Sequence, residues 1–318
     1  MPAISASAPG KLILCGEHAV VYNQPAIAIP ILSLSTTTKI FAHPTAPKGE
    51  VIINAASQRI KENIHVLPEG HSIRSIVELV QANFGLGEIP ACEIQITSTL
   101  PIASGLGSSA SLSISVIRAL SEFIGLPLPV EQVNALAFEA EKIHHGNPSG
   151  IDNTVIAYEK PVYFERGKPL QFISIGTPMH IIIASTGISA STALAVAGVH
   201  DRWQKDPARY EALFTQIGSL SRQIRQYLTQ GLTKPVGELL TRNHSLLQEM
   251  GVSCPELDQL VNVSLAAGAL GAKLSGGGMG GNMLALVTEE TSPTIEKALT
   301  SAGAKFCLKV TLPASMER

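Results

Sequence analysis

The sequence has few of the features that mark metal-binding, disulfide-stabilised or membrane proteins. Its four cysteines lie far apart in the chain and form no C-x-x-C pair, so neither a zinc ribbon nor a disulfide framework is indicated. No apolar run reaches the roughly 18 residues of a membrane helix, and no apolar segment of a signal peptide precedes Lys11. We therefore expect a cytoplasmic protein in a reducing compartment, with no membrane partner.

Charge is also scarce. Charged residues make up 15% of the chain and the formal net charge is −2, which gives no electrostatic basis for binding nucleic acid. Hydrophobic residues make up 45% of the 318 residues, which excludes a disordered chain and allows a large core in about two domains. The expected partner is a small molecule.

The most informative segment is PIASGLGSSAS at 101–111. Gly105 and Gly107 can adopt positive φ, and Ser108 and Ser109 stand where a helix begins, so backbone N–H groups there are open to an anion such as a polyphosphate. The segment has neither the Gly-Lys-Ser/Thr ending of a P-loop nor the G-x-G-x-x-G register of a dinucleotide site. A serine-capped helix start without a ligand is the alternative that these residues leave open.

A second segment, EAEKIHHGNPSGIDNTV at 139–155, brings two acids to one turn. The periodicity predicts a helix near 130–145 with an apolar side made of Val133, Leu136, Ala140 and Ile143. Glu141 lies at the edge of that side, and a turn after Gly146 leads to Asp152. Phosphoryl transfer to an alcohol needs one carboxylate on magnesium and another near the hydroxyl proton. The alternatives are a solvated helix acid for Glu141 and a turn or cap residue for Asp152.

The third segment, KLSGGGMGGN at 273–282, contains five glycines. Glycine in an ordered segment costs roughly 0.5–1 kcal/mol relative to alanine, so we expect a close approach to backbone or ligand. A flexible turn is the alternative.

Strand and helix patterns mix along the chain and predict an α+β fold. Short β-rich runs fill 10–40, and further strands are predicted at 92–100, 180–185, 282–287 and 306–312. Helices are predicted at 72–84, after the 101–111 segment, at 130–145, at several points after 200, and between the last two strands. We place a domain boundary near residue 180, which gives domains 1–180 and 181–318.

Three segments in one order resemble the motifs of the GHMP kinases, the superfamily of galactokinase, homoserine kinase, mevalonate kinase and phosphomevalonate kinase. They are SAPGKLILCGEHAVVYNQPAIA at 7–28 and the segments at 101–111 and 273–282. Within the family, GEHAVVY at 16–22 and EKIHHGNPSGIDNTV at 141–155 resemble the mevalonate kinases. The resemblance spans nearly the whole chain, and three ordered motifs are more specific than one glycine loop.

The resemblance implies an N-terminal α+β domain with a left-handed βαβ crossover, a ferredoxin-like C-terminal domain, and ATP and substrate between them. It implies ATP- and Mg²⁺-dependent phosphorylation of the primary hydroxyl of mevalonate in isoprenoid precursor biosynthesis. Another GHMP kinase, of phosphomevalonate or a different hydroxy acid, is the alternative, and a homodimer is one option for assembly. A dinucleotide oxidoreductase lacks its fingerprint here, and a non-catalytic regulator should lack one of the expected catalytic or metal-binding residues, all of which are present.

The resemblance also implies roles for particular residues. Asp152 takes or orients the hydroxyl proton beside Lys11, while Ser109 and Glu141 bind magnesium. Nucleotide-binding residues are Pro101, Ser104, Gly105, Leu106, Gly107, Ser108, Ser109 and Ala110. Substrate-binding residues are Glu17, His18, Asp152 and Thr192. The chain departs from the family pattern near Thr192, because Ala190 and Ala193 stand where a cation is often found and the nearest downstream cation is Arg202.

Overall fold

The computed structural model describes residues 3–101, 105–145, 148–189 and 191–315. The strands of this part are β1 (Ile4–Cys15), β2 (Ala26–Ala42), β3 (Val51–Ala55), β4 (Ile60–Asn63), β5 (Cys92–Ser98), β6 (Val162–Phe164), β7 (Gln171–Phe172), β8 (Met179–Ser185), β9 (Gly271–Ser275), β10 (Asn282–Val287) and β11 (Phe306–Leu312). The helices are α1 (Ser72–Asn83), α2 (Ser108–Ile124), α3 (Val130–His145), α4 (Ile151–Tyr158), α5 (Thr192–Lys205), α6 (Pro207–Gln230), α7 (Thr233–Glu249), α8 (Pro255–Ala266) and α9 (Ser292–Ser301).

The chain divides into two compact units, and both are discontinuous in sequence. The described residues of the first unit fall in 3–11, 30–101 and 106–159, and those of the second in 12–29, at 105 and in 160–315. The boundary near residue 180 stays a prediction. Within the described ranges, none of the helices combines the length and the apolar character needed to span a bilayer.

The first unit contains a sheet and the helices α1–α4, which pack on one another. Its strands lie in the order β4-β3-β5-β2, with β3 parallel to β5 and the other pairs antiparallel. Helix α1 lies between β4 and β5 in sequence, and its buried residues Ile73, Ile76, Val77 and Val80 recur at helical spacing. In β5, Cys92, Ile94 and Ile96 alternate with more exposed residues, as expected of a strand with one buried face.

Strand β2 corrects the predicted pattern of short runs in 10–40, because it continues through Pro30 for 17 residues. Proline removes a donor from a strand and is tolerated where that donor is not needed. Pro30 lies outside both 26–28, which pair with β6, and 36–42, which pair with β5.

Helix α3 is confirmed at 130–145, and its predicted apolar side is confirmed at Val133 and Ala140 but wrong at Leu136 and Ile143. The buried residues are Val133, Ala137, Ala140 and Glu141. Ile143 is 51% exposed. An apolar side can advance by either three or four residues per turn, and here α3 packs on both α2 and α4. That packing turns Glu141 inward.

The second unit has the element order expected of a ferredoxin-like domain. Strands β8–β11 form an antiparallel sheet in the order β11-β8-β10-β9, with α5–α8 between β8 and β9 and α9 between β10 and β11. This βαββαβ arrangement confirms the prediction. The predicted buried side of α6, made of Leu213, Ile217, Leu220 and Ile224, is also confirmed.

Candidate active site

Lys11 and Asp152 form an ion pair in the first unit. Lys11 comes from β1 and Asp152 from the first turn of α4, and the Lys11 Nζ to Asp152 Oδ2 distance is 2.9 Å. The lysine side chain is 7% exposed, whereas the aspartate side chain is 37% exposed. Because Asp152 lies inside α4, the alternative interpretation of this residue as a turn or cap residue is wrong. The pair has a sheltered cation and a carboxylate that a ligand can reach.

The glycine-rich segment before α2 is attached to Lys11. The backbone N–H of Lys11 donates to the carbonyl of Leu106 at 2.9 Å. Gly107 has φ 80°, and a Cβ on it would lie 2.7 Å from Lys11 Cγ and 2.9 Å from Ile156 Cδ1. Only glycine fits there without moving the aliphatic stem of Lys11.

The start of α2 has the chemistry of an anion site. Its N-cap is Gly107, which has no side chain that could accept hydrogen bonds from the free N–H groups of the first turn. Ser108 and Ser109 lie inside the helix and do not cap it, so the serine caps of the alternative are wrong, while the ligand stays a prediction. Leu106 is fully buried and anchors the segment, while Ser104 lies outside the described residues.

Ser109 and Glu141 meet across α2 and α3. The hydroxyl of Ser109 donates to Glu141 Oε1 at 2.6 Å, and Glu141 is only 6% exposed. The alternative of a solvated helix acid is wrong, because Lys142 instead pairs with Glu139 at 2.7 Å. Within the described part of the chain, no three His, Cys, Asp or Glu side chains converge as a metal site.

Glu17, in the second unit, is buried, and both of its carboxylate oxygens have partners. One carboxylate oxygen pairs with Lys273 Nζ, and the other accepts from Asn243 Nδ2 at 3.3 Å. Glu17 is 4% exposed and Lys273 is fully buried. Because both carboxylate oxygens already have partners, the geometry favours a positioning function for Glu17.

His18 and Thr192 both lie close to one glycine of the third motif, Gly277. The ring nitrogen Nε2 of His18 lies 2.9 Å from the carbonyl oxygen of Gly277. A Cβ on Gly277 would lie 3.1 Å from the Oγ1 of Thr192. Burial lowers the pKa of His18 to about 4, despite the hydrogen bond to Gly277, which opposes the shift. The structure thus joins two predicted substrate residues within the second unit.

The third motif makes the close backbone approaches that its glycines predicted. A Cβ on Gly278 would lie 1.9 Å from the carbonyl oxygen of Val252, and one on Gly280 would lie 2.8 Å from that of Ile188. The segment is not entirely a loop, however, since Lys273 and Ser275 belong to β9. All five β9 residues are buried and the strand pairs with β10, which explains why the segment begins as a strand and not as a loop.

Sequence reasoning missed Lys273 and Asn243 as partners of Glu17. Lys273 lies 256 residues from Glu17 and Asn243 lies 226 residues from it, so no local pattern links them. Two signals were available. Lys273 precedes an apolar residue in the segment that leads to the strand predicted at 282–287. Asn243 lies on the apolar side of a predicted helix. Buried polar residues of this kind require partners.

Two family models match the chain. The model described as GHMP kinases N terminal domain matches residues 71–160, and the model described as GHMP kinases C terminal matches residues 224–305. The mevalonate kinase of Pyrococcus horikoshii is 35% identical over 89% of this chain and 88% of its own length. That of Thermococcus gammatolerans is 33% identical over 94% of this chain and 93% of its own length.

A solved structure is similar over the whole chain. L. major mevalonate kinase in complex with R-mevalonate has a TM-score of 0.85 at 31% identity, covering 100% of this chain and 97% of that protein. The two relatives found by sequence and this solved structure are therefore all mevalonate kinases.

Proposed function

Because the chain belongs to the GHMP kinase family, we propose that it transfers the γ-phosphoryl group of ATP to the primary hydroxyl of mevalonate. The products are 5-phosphomevalonate and ADP, in the biosynthesis of isoprenoid precursors. The observation that carries the proposal is the near full-length similarity to mevalonate kinases. The ion pair of Lys11 and Asp152 supplies the chemistry that such a transfer needs.

In the proposed reaction, the C5 hydroxyl oxygen forms a bond to the γ-phosphorus while the bond to the bridging oxygen of ADP breaks. The hydroxyl proton passes to the carboxylate of Asp152, which is half-exposed. The ammonium of Lys11, 2.9 Å from that carboxylate, stabilises negative charge on the attacking oxygen and on the transferred group. The transition state of phosphoryl transfer is loose, so positioning and charge stabilisation contribute more than a strong base.

The nucleotide phosphates are proposed to bind the N–H groups at the start of α2. The segment that leads into α2 consists of Gly105, Leu106 and Gly107. In the proposed complex, the anion faces the first-turn N–H groups of Ser108, Ser109 and Ala110. Pro101 and Ser104 complete the predicted loop. The glycine N-cap supports this proposal, because it leaves those donors without a side-chain acceptor.

Ser109 and Glu141 fit a magnesium ion. A hydroxyl and a carboxylate are hard oxygen donors, and Mg²⁺ in kinases typically has only one or two protein ligands, the others being phosphate and water. A buried acid hydrogen-bonded to a hydroxyl at 2.6 Å is a donor pair already in place. When bound, the ion would offset the charge of the phosphates.

For the substrate, His18 and Thr192 are proposed to contact mevalonate, with Glu17 holding His18. Arg202 is the candidate for the carboxylate. Its Nη2 donates to the carbonyl of Gly251 at 3.3 Å, and its buried Nε has no partner within the described residues. A cytoplasmic location and a homodimer stay predictions.

The test is an assay of ADP release across mevalonate, phosphomevalonate, homoserine and galactose with MgATP. We expect mevalonate to be preferred, with kcat/KM in the ordinary range of about 10⁴–10⁸ M⁻¹s⁻¹. Turnover of another alcohol at least ten times more efficient would assign a different GHMP kinase activity. No turnover of any alcohol would contradict the kinase proposal itself.

A further inference from the structure

A cavity lined by none of the candidate active-site residues lies along the end of α6 in the second unit. Its volume is about 620 Å³, which falls within the range of roughly 300–1,000 Å³ for small-molecule sites. The lining residues all carry polar groups, and they are Tyr163, Arg222, Arg225, Gln226, Thr229 and Gln230. Tyr163 belongs to β6 and the others to α6. None of these described residues is acidic, so the lining carries positive charge only.

Arg222 and Arg225 carry that charge without a counter-ion. They lie three residues apart on α6, so their side chains lie on the same side of the helix. Neither arginine forms an ion pair within the described ranges of the chain. Like charges at this spacing repel each other and lower stability. An anion bound between the two guanidinium groups would remove that repulsion.

Tyr163 holds Arg225 in place. The Cζ atom of Arg225 lies 4.6 Å from the centroid of the Tyr163 ring, and Tyr163 is only 6% exposed. Stacking of this kind uses the flat face of the guanidinium group and leaves the N–H groups at its edge free to bind an anion. The ring therefore orients the N–H groups of Arg225 without neutralising its charge.

The hydroxyl of Tyr163 adds a further donor. Burial raises the pKa of Tyr163, with Glu165 acting in the same direction and Arg222 and Arg225 acting against it, so the phenol keeps its proton near pH 7. The guanidinium group of Arg222 lies beside this hydroxyl. Because arginine only donates hydrogen bonds, the phenol oxygen faces Arg222 as an acceptor, and its proton stays available for a ligand.

We propose that this cavity binds a small phosphate-bearing anion, such as a diphosphate group, between the guanidinium groups of Arg222 and Arg225. A carboxylate has two oxygens, and the paired N–H groups of one arginine satisfy both. Two arginines and the hydroxyl of Tyr163 match an anion with more oxygens, and Gln226 and Gln230 add amide donors. None of these residues belongs to the site proposed for ATP, so the anion site is a second one.

The test measures how inorganic pyrophosphate protects arginines from phenylglyoxal, with each modified position identified by peptide mass spectrometry. Pyrophosphate should slow the modification of Arg222 and Arg225 in a saturable way, with half-protection at about 1 mM or below. Arg242 is the internal control and should stay unprotected, since it is an exposed arginine of α7 whose Nη2 donates to Gln216 at 3.5 Å. Acetate at the same ionic strength should protect none of the three. Pyrophosphate bound at the proposed nucleotide site does not disturb the result, because each arginine is followed separately.

Two variants distinguish a formed site from a diffuse charge effect. Arg225→Lys keeps the charge but loses the planar group, so the half-protecting concentration measured at Arg222 should rise by about tenfold. Tyr163→Phe keeps the ring and removes the hydroxyl, and should raise that concentration by a smaller factor. Arg242→Lys is the matched control and should leave it unchanged.

Three results would overturn the inference. They are an absence of protection at Arg222 and Arg225, equal protection of Arg242, and an unchanged half-protecting concentration in a folded Arg225→Lys protein. Circular dichroism checks the folding of each variant. Kinase activity does not enter the measurement, so the outcome is independent of the proposed function.

Discussion

Two lysine–carboxylate pairs in this protein differ in burial. In the pair of Lys11 and Asp152, the carboxylate side chain is 37% exposed. In the pair of Lys273 and Glu17, the side chains are 0% and 2% exposed. A carboxylate that solvent reaches can also meet a substrate, whereas one enclosed with its cation can only hold structure. We therefore propose that accessibility divides catalysis from positioning between two pairs of the same chemistry.

The same substitution in three lysines gives the sharpest comparison of the pairs. Lys273→Met should have the largest effect on stability, about 3–5 kcal/mol, because it leaves the Glu17 carboxylate buried without a counter-ion. Urea unfolding measures it. The double variant Glu17→Gln/Lys273→Met should recover part of the loss, and a double variant no more stable than Lys273→Met would contradict the charge-burial explanation.

Lys11→Met should instead reduce turnover. The methionine fills the space of the lysine stem beside Gly107 but removes the charge, so kcat should fall by about 10²–10³. Lys142→Met is the matched control, since its surface pair with Glu139 contributes about 0–1 kcal/mol and lies outside the proposed chemistry. An active Lys11→Met protein would show that the exposed pair is not catalytic.

Glu141→Gln should have a smaller effect that depends on metal concentration. The amide keeps the contact with Ser109 but loses the charge that binds Mg²⁺, so the concentration of Mg²⁺ for half-maximal rate should rise by about tenfold. Excess Mg²⁺ should restore part of the rate. An unchanged magnesium titration would show that Glu141 does not bind the metal and has a positioning function, as proposed for Glu17.

The sequence predicted local and ordered features well. Strands 282–287 and 306–312 and helix 130–145 match the structure because turn residues flank them. Strand β9 was missed, since two of its five residues precede the predicted glycine motif and the other three were taken as part of it. Helix α4 was missed because Asn-Pro-Ser-Gly directly before it reads as a turn.

Long-range partners were beyond sequence reasoning. The motifs placed Lys11, Ser109, Glu141 and Asp152 in one site by resemblance, and the structure brings them together as two contacting pairs. The pairing of Lys273 with Glu17 depends on how β9 packs, and the position of the His18 ring depends on the carbonyl of Gly277, which lies 259 residues away. Neither relation leaves a periodic signal in the chain.

The most direct test measures kcat and the urea midpoint of two matched amide variants, Asp152→Asn and Glu17→Gln. Asp152→Asn should keep the KM for ATP and lower the midpoint less than Glu17→Gln does, because its carboxylate is 37% exposed, while kcat falls by about 10² or more. Glu17→Gln should lower the midpoint, because it leaves the Lys273 ammonium buried without its counter-ion. Near-normal turnover of Asp152→Asn, or an unchanged midpoint for Glu17→Gln, would contradict the division between a catalytic and a positioning pair.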